Sequence, residues 1–148
     1  FILCGSEVDS SNQKLLALIN LFDLGSNVHL LGHISDMRNL YSSLDILAVT
    51  SSYGESFPLT ICEAMACKIP VIATDVGDTP YIINDTDMVI PVNEPMLLAE
   101  KFKEIIFLDV KSKNEIGNRN RSRIQELFDI KIIEKKYRNY YEKLLNFT

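Results

Sequence analysis

Apolar and polar positions fall along this chain in two kinds of block. Short continuous apolar runs occur at Phe1-Ile2-Leu3-Cys4, Val28 to Leu31, Asp45 to Thr50, Pro70-Val71-Ile72-Ala73 and Met88-Val89-Ile90. Runs of this length between turn residues read as strands buried on both faces. The other blocks repeat at helical spacing. Leu15, Leu16, Leu18, Ile19 and Phe22 do so over residues 11–23, until Gly25 stops them. Asp36 caps a short helix through about Ser42. Pro58, as a first helical residue, opens a helix to about Cys67. A short helix is expected over 81–83, after Gly77 and Pro80. Pro95 opens another, with Leu98, Phe102, Ile105 and Ile106 on one face, and two more fill the tail near 112–127 and 129–146.

Strands alternating with helices predict an α/β fold, a doubly wound parallel sheet with helices on both faces. Ligands bind such sheets beyond the carboxyl ends of the strands. The loops after Leu31, Thr50 and Ala73 are therefore the places to look. Phe1–Cys4 reads as a core strand with nothing before it and no initiator Met. The expectation is a domain cut short at its N-terminus, lacking its first central strand.

Composition narrows the classes. With 47% hydrophobic and 24% charged residues, the 148-residue chain reads as about one globular domain. No apolar run approaches the roughly 18 residues of a membrane-spanning helix, and no basic segment followed by an apolar stretch marks a secretory signal. Cys4, Cys62 and Cys67 form no CxxC pair, and an odd count argues against a disulfide framework, so a reducing cytoplasm is expected. A net charge of −5 disfavours a general nucleic-acid binder. The charge is uneven: residues 1–110 carry 5 basic and 15 acidic residues, residues 111–148 carry 10 and 5. The boundary expected is thus a domain over 1–110 and a basic helical tail over 111–148. The last helix sets Ile130, Ile133, Tyr137, Tyr140, Tyr141, Leu144 and Leu145 on one face. That face suits packing on protein, with an anionic membrane surface as the alternative.

The chemistry concentrates in Ser51-Ser52-Tyr53-Gly54-Glu55-Ser56-Phe57-Pro58-Leu59-Thr60-Ile61-Cys62-Glu63-Ala64-Met65-Ala66, which joins a strand to a helix. Free N–H groups of Phe57, Leu59 and Thr60, aided by the helix dipole, favour an anion such as a diphosphate. A carboxylate accepts well from two neighbouring hydroxyls, so Glu55 and Glu63 each suit a sugar diol. Two diol readers around an anion site fit a molecule with sugar, diphosphate and ribose in line. Spacing alone favours a simpler reading, with Glu55 as a solvated loop acid near a helix start and Glu63 as an ordinary exposed helix residue. Other chemistry is weaker: His29 lies in a strand, so it makes a poor metal pair with His33, and neither GxGxxG nor GxxxxGK[ST] occurs. Cys62 and Cys67 read as small core residues.

The stretch E-S-F-P-L-T-I-C-E-A-M-A resembles the E-x7-E signature of retaining glycosyltransferases with two Rossmann-like domains, the GT-B group 1 (family 4) enzymes. Val28-His29-Leu30-Leu31-Gly32, Leu40-Tyr41, Asp45-Ile46-Leu47 and Cys67 to Thr74 match in order, and the similarity runs from about residue 1 to 108. The resemblance implies the nucleotide-sugar-binding half of such an enzyme. It implies that Glu55 contacts the donor sugar and Glu63 the ribose hydroxyls. It puts backbone at Ser56, Phe57 and Pro58 against sugar and phosphates, and Gly32-His33-Ile34 against the base. The implied substrate is a UDP- or GDP-sugar, with no metal and no cofactor. The acceptor, a sugar or glycolipid, would sit on an N-terminal domain absent here, on a cytoplasmic enzyme with possible peripheral contact at the inner membrane face. Cell-surface polysaccharide or glycolipid synthesis is the implied role, with this fragment inactive alone. A non-catalytic nucleotide-binding module and a nucleotide-sugar epimerase fragment are the alternatives. The chain also departs from the family. Nothing in these residues matches the strand ending in a basic Arg…Lys pair that opens the family's domain, Pro58 stands where many relatives have Gly, and Asp78 where many have a second Gly.

Overall fold

The computed structural model describes residues 1–145. By its internal contacts the chain divides into two compact units, Phe1–Met37 and the remainder from Arg38. Among the described residues five strands form two sheets, one in each unit, and every pairing is parallel. The α/β class and parallel pairing read from the sequence are thus present.

In the first unit β1 (Ile2–Leu3) pairs with β2 (His29–Leu30), and α1 (Gln13–Leu21) is the crossover between them. Asn12 starts α1, its side chain accepting from the Leu15 N–H at 3.0 Å. Gly5 N–H donates to the Gly32 carbonyl at 2.9 Å, and Gly32 N–H to the Val8 carbonyl at 2.8 Å, so the loops leaving the two strands are tied together. The expectation of buried runs fails here. Ile2 is 40% and Leu3 38% exposed, because a two-stranded sheet with one helix has too little mass to cover both faces.

In the second unit α2 (Met37–Ser42, its first residue in the preceding unit) leads to a sheet ordered β3–β4–β5, from β3 (Leu47–Val49), β4 (Val71–Thr74) and β5 (Val89–Ile90). Only the central strand is buried along its whole length. β3, read as buried on both faces, is half-buried at every position, and among the described residues it pairs with β4 alone, at the edge of its sheet. Ile72, Ile90 and Ile105 make the core, with Ile46, Met88, Leu98 and Phe102 packed around them. Leu98, Phe102 and Ile105 come from α5 (Pro95–Phe107) as its spacing predicts, but Ile106, expected on the same face, is 54% exposed, one position and so about 100° further round the helix than Ile105. The short helix predicted at 81–83 is longer, α4 (Thr79–Ile83), since Pro80 is tolerated in a first turn. Met88 is not in the last strand but ends a 3₁₀ turn, Thr86–Met88.

The helix after the central loop is α3 (Leu59–Ala66), burying Ile61, Cys62, Ala64 and Met65. Pro58 precedes it with extended backbone (φ −70°, ψ 102°), a cap position and not the first helical residue expected. α6 (Val110–Leu127) packs across α3 although its sequence is strongly polar. Gly117, Asn120 and Ile124 form its narrow buried stripe. A Cβ at Gly117 would overlap the Lys68 carbonyl oxygen, so glycine permits the close approach. Asn120 Nδ2 then donates to the Ile69 carbonyl at 3.0 Å, satisfying a buried amide. α7 (Ile130–Leu145) closes the described chain with none of its residues buried.

Candidate functional site

The loop from Thr50 to Pro58 leaves the carboxyl end of β3 and is fastened from below by the end of β4. The buried Thr74 hydroxyl donates to the Ser51 carbonyl at 2.6 Å. Ser51 Oγ in turn donates to Glu55 Oε1 at 2.7 Å, which orients a half-buried carboxylate without neutralising it. Beyond β4, Asp78 N–H donates to the Ser56 carbonyl at 2.8 Å. Gly77, at φ +57°, lies flat on the Glu55–Ser56 backbone; a Cβ there would overlap the Glu55 carbonyl oxygen and come within 2.8 Å of that of Ser56. Only glycine meets both the backbone conformation and the close approach.

Pro58 is buried and supplies no N–H, so the first orphan donors of α3 belong to Leu59 and Thr60. Glu63 lies further along α3 and is exposed. Its Oε2 accepts from the hydroxyl of Tyr41 on α2 at 2.9 Å, and Tyr41 is itself only 2% exposed. Phe57, at the loop's turn, meets Phe128 edge-on with ring centroids 5.4 Å apart. Phe128 meets Tyr81 in the same way at 5.7 Å. The Arg123 guanidinium lies 5.8 Å from both the Tyr81 and Phe128 ring centroids, and donates to the Ile82 carbonyl at 2.7 Å and to that of Tyr81. These carbonyls end α4, where a cation is favoured.

Ser56, Phe57, Pro58, Leu59 and Thr60 therefore share one turn with Glu55, and Glu63 stands on the helix that follows. Gly32 (buried), His33 (exposed) and Ile34 (half-buried) lie in the first unit, after β2. Sequence reasoning had not found Ser51, Thr74 and Gly77 as supports of the loop, nor the Phe128–Arg123 buttress. Tyr41 stood in a matched pair of residues without a role. Beside the loop a groove of about 470 Å³ opens over the sheet's carboxyl edge, lined by Thr50, Ser52, Thr74, Asn93, Glu94 and Leu98 among others. Cys62, inside α3, has its thiol pushed up to about 11, by burial first and the Glu63 charge second. Among the described residues no cluster of three or more His, Cys, Asp or Glu side chains is disposed to hold a metal.

The chain matches the family model of glycosyl transferases group 1 over residues 1–123. The chain belongs to this family. Among its group 1 relatives, the capsular polysaccharide biosynthesis glycosyltransferase CapM of Staphylococcus aureus is 29% identical over 121 residues, 80% of this chain and 31% of CapM. The chain thus spans about a third of that relative's length. A glycosyltransferase structure from Rickettsia africae superposes with a TM-score of 0.89 at 26% identity, covering 97% of this chain and 39% of that one. Anabaena HepE, solved in complex with UDP, shares the fold with a TM-score of 0.86 at 24% identity, over 96% of this chain and 40% of its own.

Proposed function

We propose that this chain binds the nucleotide-sugar donor of a retaining glycosyltransferase, with Glu55 contacting the sugar and Glu63 the ribose diol. The observation carrying the reading is how the two carboxylates are held. Each takes a hydrogen bond from a neutral hydroxyl, Ser51 or Tyr41, and neither is paired with a cation among the described residues. A carboxylate oriented this way keeps its charge for a ligand's hydroxyls. The α3 N-terminus lies between them in sequence and suits the diphosphate. Gly32, His33 and Ile34 are assigned to the base by resemblance. On this reading no metal is required: backbone dipoles meet the charge that develops on the leaving diphosphate. CapM's part in capsular polysaccharide synthesis and the UDP bound by HepE support a nucleotide-activated donor and a cell-surface glycan product.

Calorimetric titration with UDP, GDP and ADP tests this. Saturable binding of at least one nucleoside diphosphate is expected, strengthened by the matching sugar nucleotide. Absence of heat with all three, in a chain shown to be folded, would sink the reading.

A further inference from the structure

We propose that Tyr41 is a positioning residue for Glu63 and through it sets the preference for a ribose diol over a deoxyribose; this rests on the reading of Glu63 as the ribose acceptor. Tyr41 and Glu63 are 22 residues apart and come from different helices, α2 and α3. The tyrosine ring is buried to 2% exposure, so its hydroxyl is delivered from a fixed point. The glutamate is exposed, and among the described residues the phenol is the one hydrogen-bonding partner of its carboxylate. An exposed glutamate on a helix has three side-chain torsions free and samples many rotamers. A donated phenol proton on Oε2 selects one of them. Oε1 stays open, and a carboxylate oxygen has further lone pairs to accept from adjacent hydroxyls. Lysine or arginine in the same place would also fix the carboxylate, but would spend its charge; a phenol does not.

Phenol and carboxylate thus form a relay from a buried anchor to an exposed reader. The bland alternative is that Glu63 merely satisfies a buried tyrosine hydroxyl and ties α2 to α3. That role predicts an effect on unfolding and none on which sugar is preferred.

The test compares UDP with 2′,3′-dideoxy-UDP, and GDP with its dideoxy analogue, by calorimetric titration of this chain and of Tyr41→Phe. The unaltered protein is expected to favour the ribose form about tenfold or more, as a charge-assisted hydrogen bond requires. In Tyr41→Phe the ribose form should bind about five- to tenfold more weakly and the dideoxy form almost unchanged, so that the ratio collapses towards one. If Tyr41→Phe fails to fold, Tyr41→Met keeps much of the buried volume without the hydroxyl and is read by the same ratio. A ratio that survives loss of the hydroxyl overturns the proposal while the functional reading stands. If the unaltered chain binds none of these nucleotides, the functional reading fails and takes this proposal with it.

Discussion

Glu55 and Glu63 stand eight positions apart and differ in what holds them. Ser51 steadies Glu55 from within its own loop, whereas Tyr41 steadies Glu63 from another helix. Their removal should therefore have separable effects. Glu63→Ala is expected to weaken free nucleotide and sugar nucleotide alike, each by about ten- to a hundredfold, from roughly 1.5–3 kcal/mol per charge-assisted bond. Glu55→Ala should leave free UDP or GDP affinity intact and weaken the sugar nucleotide. Equal loss of free nucleotide affinity in both variants would show the division of roles to be wrong. Gly77 makes a second prediction. Alanine there must adopt a left-handed conformation, at about 1 kcal/mol, and also pushes on the Glu55 carbonyl. Gly77→Ala should lower stability by about 2–4 kcal/mol in urea unfolding, the range of strained or overpacked sites, and should displace the Glu55 loop. Cys62 predicts a pH dependence. Its thiol is raised from 9.0 to about 11 in the fold, so the folded state holds a proton that the unfolded state releases. That contribution is whole below pH 9 and lost as pH rises towards about 11. Cys62→Ala should therefore flatten the fall of stability with pH in that window, as read by unfolding at pH 8 and pH 11.

At the scale of elements, the sequence was legible wherever local pattern and final environment agreed. β4 reads as a continuous apolar run and is buried at every position, and α5 shows its apolar face in its spacing. β1 and β3 looked the same on paper, yet their exposure depends on how many partners each sheet supplies, which no local run records. The two glutamates were visible because they lie on one contiguous stretch and resemble a known motif. Their supports were not, because Thr74, Gly77 and Tyr41 reach them only through the folded sheet and its helices. α6 is the hardest case. Nothing apolar announces that it packs on α3; the contact is made by Gly117, by an asparagine that satisfies a buried carbonyl, and by Ile124. Gly117→Ala is expected to force α6 off the Lys68 carbonyl and to cost about 1–3 kcal/mol, the usual toll of overpacking. Thermal unfolding measures it. An unchanged melting temperature would mean that α6 can slide without loss.

For the whole molecule, the question is what the basic tail faces. No described helix is long and apolar enough to cross a membrane. α7 nonetheless exposes Tyr137, Tyr140, Tyr141, Leu144 and Leu145, and carries 5 basic against 2 acidic residues. Such a helix could in principle lie on an anionic bilayer. Magnitudes argue otherwise. Each cation near an anionic surface is worth about 1 kcal/mol, so a net of three offers about 3 kcal/mol, and Glu134 already engages Arg138 at 2.6 Å. Against this stands a chain of net charge −5, whose first 110 residues hold 15 acids to 5 bases. The tyrosines also pack on one another, Tyr137 stacked on Tyr141 with centroids 6.4 Å apart and Tyr140 edge-on to Tyr141 at 6.2 Å, an aromatic cluster suited to protein packing. Sedimentation with vesicles of mixed neutral and anionic lipid at physiological salt should therefore leave most of the protein in the supernatant. Weak binding at low salt, abolished near 0.15 M where the Debye length is about 8 Å, would fit stray electrostatics alone. Tight binding that falls steeply with salt, and is lost in Lys135→Glu with Lys136→Glu, would instead make α7 a membrane-contact helix.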